Sequence, residues 1–218
     1  MKLAVLAVTV VTAAVAFAFR EAVVGTSTFL WCLGIPYLVF GALALHRLHD
    51  DGVLWDTLRP RSGDATLGIL LGGALFGAAW LVRRFLFSGM SVKLAWLFRL
   101  GLVLGGARPS PAILALVAVL AVLEELVWRG LVLRALSERL GSRAGWPVAA
   151  LLYALAHVPA AFALGDPAAG PNPLLPMAAL GCGLVWSFVA GVTGRLPQVI
   201  LSHAVFSYFA VAQLIPHF

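Results

Sequence analysis

Glu124 and Glu125 stand side by side near the end of an apolar run, Pro111 to Val127, and Arg129 follows the second by four residues. Downstream, two more apolar runs carry one histidine each, His157 in YALAH (153–157) and His203 in HAVFS (203–207). Polar residues recur at helical spacing in all three segments: Glu125 with Arg129, Tyr153 with His157, His203 with Ser207. Side chains four apart share one face of a helix, so each segment offers a short polar patch to a single neighbour. An ionisable group inside a membrane is costly unless it meets another or a water-filled cavity. A lone histidine of this kind is ordinarily a hydrogen-bonded packing residue. Three segments so equipped are better explained as one site.

The chemistry open to such a site follows from residue type. A carboxylate held away from bulk water can take a proton from a water molecule, and a histidine on a facing helix can hold that water or share the proton. A second histidine, with a hydroxyl one turn away, can donate to a developing oxyanion. Together such groups could hydrolyse an acyl bond with no serine or cysteine nucleophile. The same set of Glu124, His157 and His203 could instead hold zinc or another divalent ion, although no HExxH spacing forces that choice. Glu125 before Arg129 is the favourable order for a helical ion pair, which can anchor a helix end at the interface. Glu124 has no cation near it in sequence and points about 100° away around the helix.

The elements that must position these residues are membrane helices. Of 218 residues, 62% are hydrophobic and 11% charged, and mean hydropathy is +1.01. A soluble domain of this length carries about a quarter charged residues. Apolar runs fall at 3–19, 22–45, 66–82, 85–105, 111–128, 146–164, 175–193 and 197–215, each near the length that crosses a bilayer. The fourth contains Lys93 and Arg99 and follows Arg83 and Arg84, which suits an interfacial or re-entrant segment. The expected fold is an all-α, polytopic transmembrane bundle of seven or eight helices forming one membrane domain. Residues 2–19 resemble a signal peptide in pattern, but with apolar segments following at once they read as a retained first helix.

The connections are 46–65, 129–145, the proline-rich DPAAGPNP at 166–173, and a tight turn at 194–197. Arg129 to Arg143 alternates charged and apolar residues and is expected to run along the membrane surface. Lys and Arg gather in 46–65 and 129–145, an N-inside pattern, while Arg83, Arg84, Lys93, Arg99 and Arg108 fit it only if the fourth run lies near the inner surface. The net charge of +6 is scattered between apolar runs, as topology signals and contacts with anionic membrane lipid require, and gives no nucleic-acid surface. Cys32 and Cys182 sit in apolar runs with no CxxC and read as packing residues. Small residues four apart, at Gly68/Gly72, Gly73/Gly77, Gly101/Gly105 and Gly183/Ser187/Gly191, allow close helix contact. No internal repeat of the kind found in inverted-repeat transporters is visible.

EELVWRG at 124–130 resembles the EExxxR motif of the CPBP family, the CAAX-protease and bacteriocin-processing (Abi) intramembrane endopeptidases. YALAH is similar to that family's FxxxH motif, and HAVFS to its third, a histidine followed four residues later by Asn or another small polar residue. The motifs occur in family order between Pro111 and Ile215. The resemblance implies that residues 1–110 supply N-terminal transmembrane helices and 111–218 the catalytic core. It also implies roles: Glu124 activating water beside His157, Glu125 and Arg129 supporting and orienting them, and His203 with Ser207 stabilising the oxyanion. The implied chemistry is glutamate-type hydrolysis with no favoured cofactor; a divalent metal such as zinc is the other possibility. Tyr153 replaces the usual Phe, and its ring can still pack. Ser207 replaces Asn, with shorter reach.

The implied partner is a protein or peptide with a hydrophobic or C-terminal membrane segment. Richness in Ala, Leu, Val, Gly and Arg points to a high-GC bacterium and its inner membrane, where prenylated CAAX proteins are not expected. Sorting-signal or peptide-precursor processing therefore ranks ahead of prenyl-CAAX cleavage. The alternatives are a non-catalytic membrane adaptor and a proton-coupled transporter that uses the same groups as a relay.

Overall fold

The computed structural model describes residues 1–87, 92–103 and 109–214. In chain order the helices are α1 (Lys2–Ala18), α2 (Ser27–Asp50), α3 (Leu54–Leu58), α4 (Asp64–Leu86), α5 (Leu94–Leu102) and α6 (Pro111–Glu125). A π-helical stretch, Leu126–Leu133, carries α6 without interruption into α7 (Arg134–Leu140). Then come α8 (Ser142–Ala156), α9 (Val158–Ala163), α10 (Leu174–Thr193) and α11 (Pro197–Phe209), the last extended by π-helical Ala210–Leu214. Among the described residues the structure is helical apart from one isolated bridge, Asp166 to Gly170.

Among the described residues, five segments are long and apolar enough to cross a membrane: α2, α4, the α6–α7 rod, the α8–α9 pair and α10. The chain is thus an integral, multi-pass membrane protein. Of the remaining apolar runs, α1 has 17 residues and α11 has 13. The fourth run yields only the nine residues of α5, and its positions 88–91 and 104–105 lie outside the described residues. Outward faces are apolar, with Trp31 67% and Phe85 75% exposed, as contact with lipid rather than water requires.

Local signals set the ends. The Ser110 hydroxyl accepts from the Ile113 amide at 3.3 Å, and Pro111 follows at the first helical position, where its missing N–H costs nothing. Gly194, at φ 67°, ends α10 in a conformation other residues enter only with strain, and Pro197 opens α11. Pro159 has no amide hydrogen to give the Leu155 carbonyl, and α8 accordingly stops with His157 as its capping residue before α9 begins at Val158.

The rod departs from the sequence expectation. Arg129–Leu140 is not a surface helix but the continuation of α6, and every residue from Leu126 to Leu133 is buried. The reason is that Leu131, Val132 and Leu133 leave no polar face for water, while Arg129 finds polar and aromatic partners inside. α10 packs against α8, α11 against α4 and α6, α1 against α2, and α2 against the π-helical stretch. The glycines divide. A Cβ at Gly68 or Gly72 would meet α11 backbone carbonyls at 2.9 and 2.8 Å, so both are needed for the close α4–α11 approach. A Cβ at Gly73 or Gly77 would meet none of the described residues within 4 Å, so close approach does not require glycine at either position, contrary to expectation. Gly105 lies outside the described residues.

One end of the bundle is tied by Arg47 to Glu138 (3.5 Å), Arg134 to Asp51 (3.4 Å) and Arg195 to Asp64. At the other end, α5 is fastened to the 165–173 loop: Trp96 Nε1 donates to the Gly170 carbonyl (3.2 Å) and Asn172 Nδ2 to the Trp96 carbonyl (3.0 Å). Lys93 and Arg99 therefore lie at the loop end, opposite the 46–65 segment, and the condition for a simple N-inside charge pattern is not met. Arg108 lies outside the described residues.

Candidate active site

Glu124 and Glu125 occur at the fourteenth and fifteenth positions of α6 and look in different directions. Glu125 is fully buried; its Oε1 accepts from Arg129 Nη1 at 2.9 Å and from His203 Nδ1 at 2.7 Å. Arg129 also donates through Nη2 to the Gly183 carbonyl on α10 at 3.3 Å. Its guanidinium carbon lies 4.7 Å from the centre of the Tyr153 ring and 5.5 Å from that of Trp186. Trp186 stacks on His203 at 3.9 Å and donates its indole N–H to Ser202 at 2.9 Å. Four segments (α6 with its π-helical extension, α8, α10 and α11) thus converge on one ion pair. Two polar atoms of the pair, Glu125 Oε2 and Arg129 Nε, find no partner among the described residues. Removing these charges from water is costly, and the carbonyl, imidazole and aromatic contacts offset that cost.

Glu124 is half-buried and lies at a cavity of about 220 Å³. His157, at the capping position of α8, lines the same cavity, as do Tyr37, Phe19, Leu120 and Val211. The Tyr153 hydroxyl donates to Glu124 Oε2 at 2.9 Å. His157 Nδ1 lies 2.8 Å from the Tyr153 carbonyl oxygen; a carbonyl can only accept, so Nδ1 bears the proton and Nε2 is left for the cavity. A larger cavity, about 710 Å³, lies at the loop end and is lined by Glu21, Arg99 and Asp166. Phe19 borders both cavities.

The residues singled out in the sequence therefore fall into two groups. Glu124 and His157 meet at the cavity; Glu125, Arg129 and His203 meet in the interior. Ser207, four residues beyond His203 on α11, is half-buried. Glu124, His157 and His203 do not converge as a ligand set, because His203 turns Nδ1 to Glu125. Among the described residues no group of three or more His, Cys, Asp or Glu side chains could hold a metal ion. Cys32 and Cys182 are free thiols.

Two contributors were not foreseen. The Gly183 carbonyl and Trp186 hold the interior pair, and nothing in their local sequence announces it. Tyr153 is different: the exchange of Phe for Tyr is visible in the sequence, and the ring does pack, on Trp128 at 5.2 Å and on His157 at 4.8 Å. The substitution is nevertheless more than packing, because it places a hydroxyl on Glu124.

Residues 106–209 match a family model described as Rce1-like, type II CAAX prenyl endopeptidase Rce1-like. This part of the chain is similar to that family, which supports its assignment among the CPBP intramembrane endopeptidases. It holds every residue of both groups, while residues 1–105 lie outside the match. Comparisons with curated proteins and with solved structures found no match. The buried Glu125–His203–Arg129 network within the matched residues, together with the lack of a grouped metal-ligand set among the described residues, matches a glutamate-type intramembrane peptidase.

Proposed function

We propose that this chain hydrolyses a peptide bond near a membrane-proximal or C-terminal segment of a protein or peptide substrate, with water activated by Glu124 beside His157. The observation that carries the proposal is that these two groups, from different helices within the matched residues, line one cavity within the bundle. Glu124 takes a proton from water as the water oxygen attacks the scissile carbonyl carbon. His157 holds that water through Nε2. The proton then passes to the leaving nitrogen as the C–N bond breaks, which balances the reaction without a covalent intermediate. Glu125 and Arg129 fix α6 against α8, α10 and α11. With Nδ1–H given to Glu125, His203 has a second N–H, on Nε2, for the oxyanion only when its ring is doubly protonated, and Ser207 assists from the next turn.

C-terminal sorting signals or peptide precursors are preferred as substrates over prenylated CAAX tails, on the strength of the composition. The bacterial inner membrane is the corresponding location, with α1 and α11 as further spans. The test is cleavage in lipid vesicles of a peptide panel, each member a hydrophobic segment with a polar tail, with or without a farnesylated cysteine. Wild-type protein should release a tail fragment from unprenylated members, and Glu124→Ala should release none. Equal cleavage by Glu124→Ala would end the proposal, and cleavage of farnesylated members alone would reverse the substrate preference.

A further inference from the structure

We propose that Tyr153 is a positioning residue for the reaction, holding Glu124 through its hydroxyl and His157 through its carbonyl. This rests on the reading of Glu124 as the group that activates water, and adds a residue the family's Phe-containing motif does not supply. The two contacts, at 2.9 and 2.8 Å, come from one residue and reach both cavity groups.

The local backbone explains why one residue can do both. In a regular α-helix the Tyr153 carbonyl would accept from the amide of residue 157. Here the His157 amide donates to the Ala154 carbonyl at 3.0 Å, one residue closer, as α8 tightens ahead of Pro159. The Tyr153 carbonyl thereby receives the imidazole Nδ1–H of the same residue. That bond fixes the tautomer with its lone pair on Nε2, the form able to accept a hydrogen bond from water.

The hydroxyl acts on Glu124 in two ways. It occupies Oε2 and so assigns Oε1 to the water. It also limits rotation of a carboxylate to which, among the described residues, no cation is bonded; the guanidinium of Arg129 is bonded to Glu125. The Tyr153 ring is itself held by Trp128, His157 and Arg129, and Trp128 is in turn tied by its indole N–H to the Tyr37 hydroxyl at 3.2 Å. The hydroxyl is therefore presented from a fixed base, which is the requirement for a side chain that positions another.

Tyr153→Phe removes one oxygen and keeps every ring contact, which makes it the decisive variant. Loss of a hydrogen bond to a charged group should lower kcat by about 10- to 100-fold. KM and the melting midpoint should stay near wild type. A structural readout accompanies it: the infrared carboxylate band of Glu124, identified as the one missing from Glu124→Gln, should shift in Tyr153→Phe. A wild-type kcat, or an unmoved carboxylate band, in folded Tyr153→Phe would overturn the proposal. If Glu124→Gln is inactive while Tyr153→Phe is fully active, the Tyr153 assignment alone falls. If Glu124→Gln is itself active, the reading of the reaction falls and the Tyr153 proposal with it.

Discussion

Glu124 and Glu125 differ by one position in the chain and by almost everything else. Glu125 is sealed from solvent, with an arginine and a histidine on a single oxygen. Glu124 is half-buried, opens to a cavity and is held by one phenol hydroxyl. Consecutive residues on a helix point about 100° apart, so one turn of α6 can serve two surfaces at once. The interior surface joins helices through charges that have exchanged water for protein partners. The cavity surface keeps a carboxylate where water can reach it. A carboxylate committed to two buried donors has little freedom to exchange protons with a substrate water, whereas its neighbour retains that freedom.

The comparison can be broken from either side, and the largest effect should come from the interior. Arg129→Ala leaves Glu125 buried without its cation and should destabilise the protein by about 3–5 kcal/mol, read from unfolding in detergent. A mild loss there would mean that the pair is not what binds the four segments. From the cavity side, His157→Ala should lower turnover by about 100-fold or more while leaving the unfolding midpoint in place. The reverse pattern would place His157 among the structural residues. His203→Phe keeps a ring on Trp186 but removes a donor from Glu125, and should cost about 1–3 kcal/mol of stability. The smallest expected effect is at Trp186→Phe, which keeps a ring on His203 but loses the bond to Ser202 and leaves part of the buried indole's volume empty, about 1–2 kcal/mol. A larger loss at Trp186 than at His203 would show that the aromatic stack, rather than the hydrogen bond to Glu125, carries the interior group.

How much of this was legible in the sequence depends on distance along the chain. The helix-spaced pairs were readable because i and i+4 lie on one face whatever the surrounding fold, and Glu125 with Arg129 is indeed bonded. The surroundings of Arg129 were not readable. Hydropathy ends the apolar run at a charge, so Arg129 looks like the start of a surface segment. Only the Gly183 carbonyl, 54 residues away, and the rings of Tyr153 and Trp186 let the helix continue buried. Tyr153 is an intermediate case: its exchange for Phe was visible, but the partner of its hydroxyl depends on how α8 is turned toward α6. Gly68 and Gly73 show the same limit. Both belong to a four-residue glycine spacing, and only the rotation of α4 decides that one faces α11 and the other does not.

The most direct test sets the two glutamates against each other in one assay. Glu124→Gln preserves the shape of the side chain and an acceptor for the Tyr153 hydroxyl, but cannot take a proton from water. In vesicles with a peptide that the wild-type protein cleaves, Glu124→Gln should lose at least about 100-fold in turnover while unfolding at the wild-type midpoint. Glu125→Gln, measured beside it, should unfold earlier. Wild-type turnover from a folded Glu124→Gln protein would contradict the assignment of the two carboxylates and the mechanism built on it.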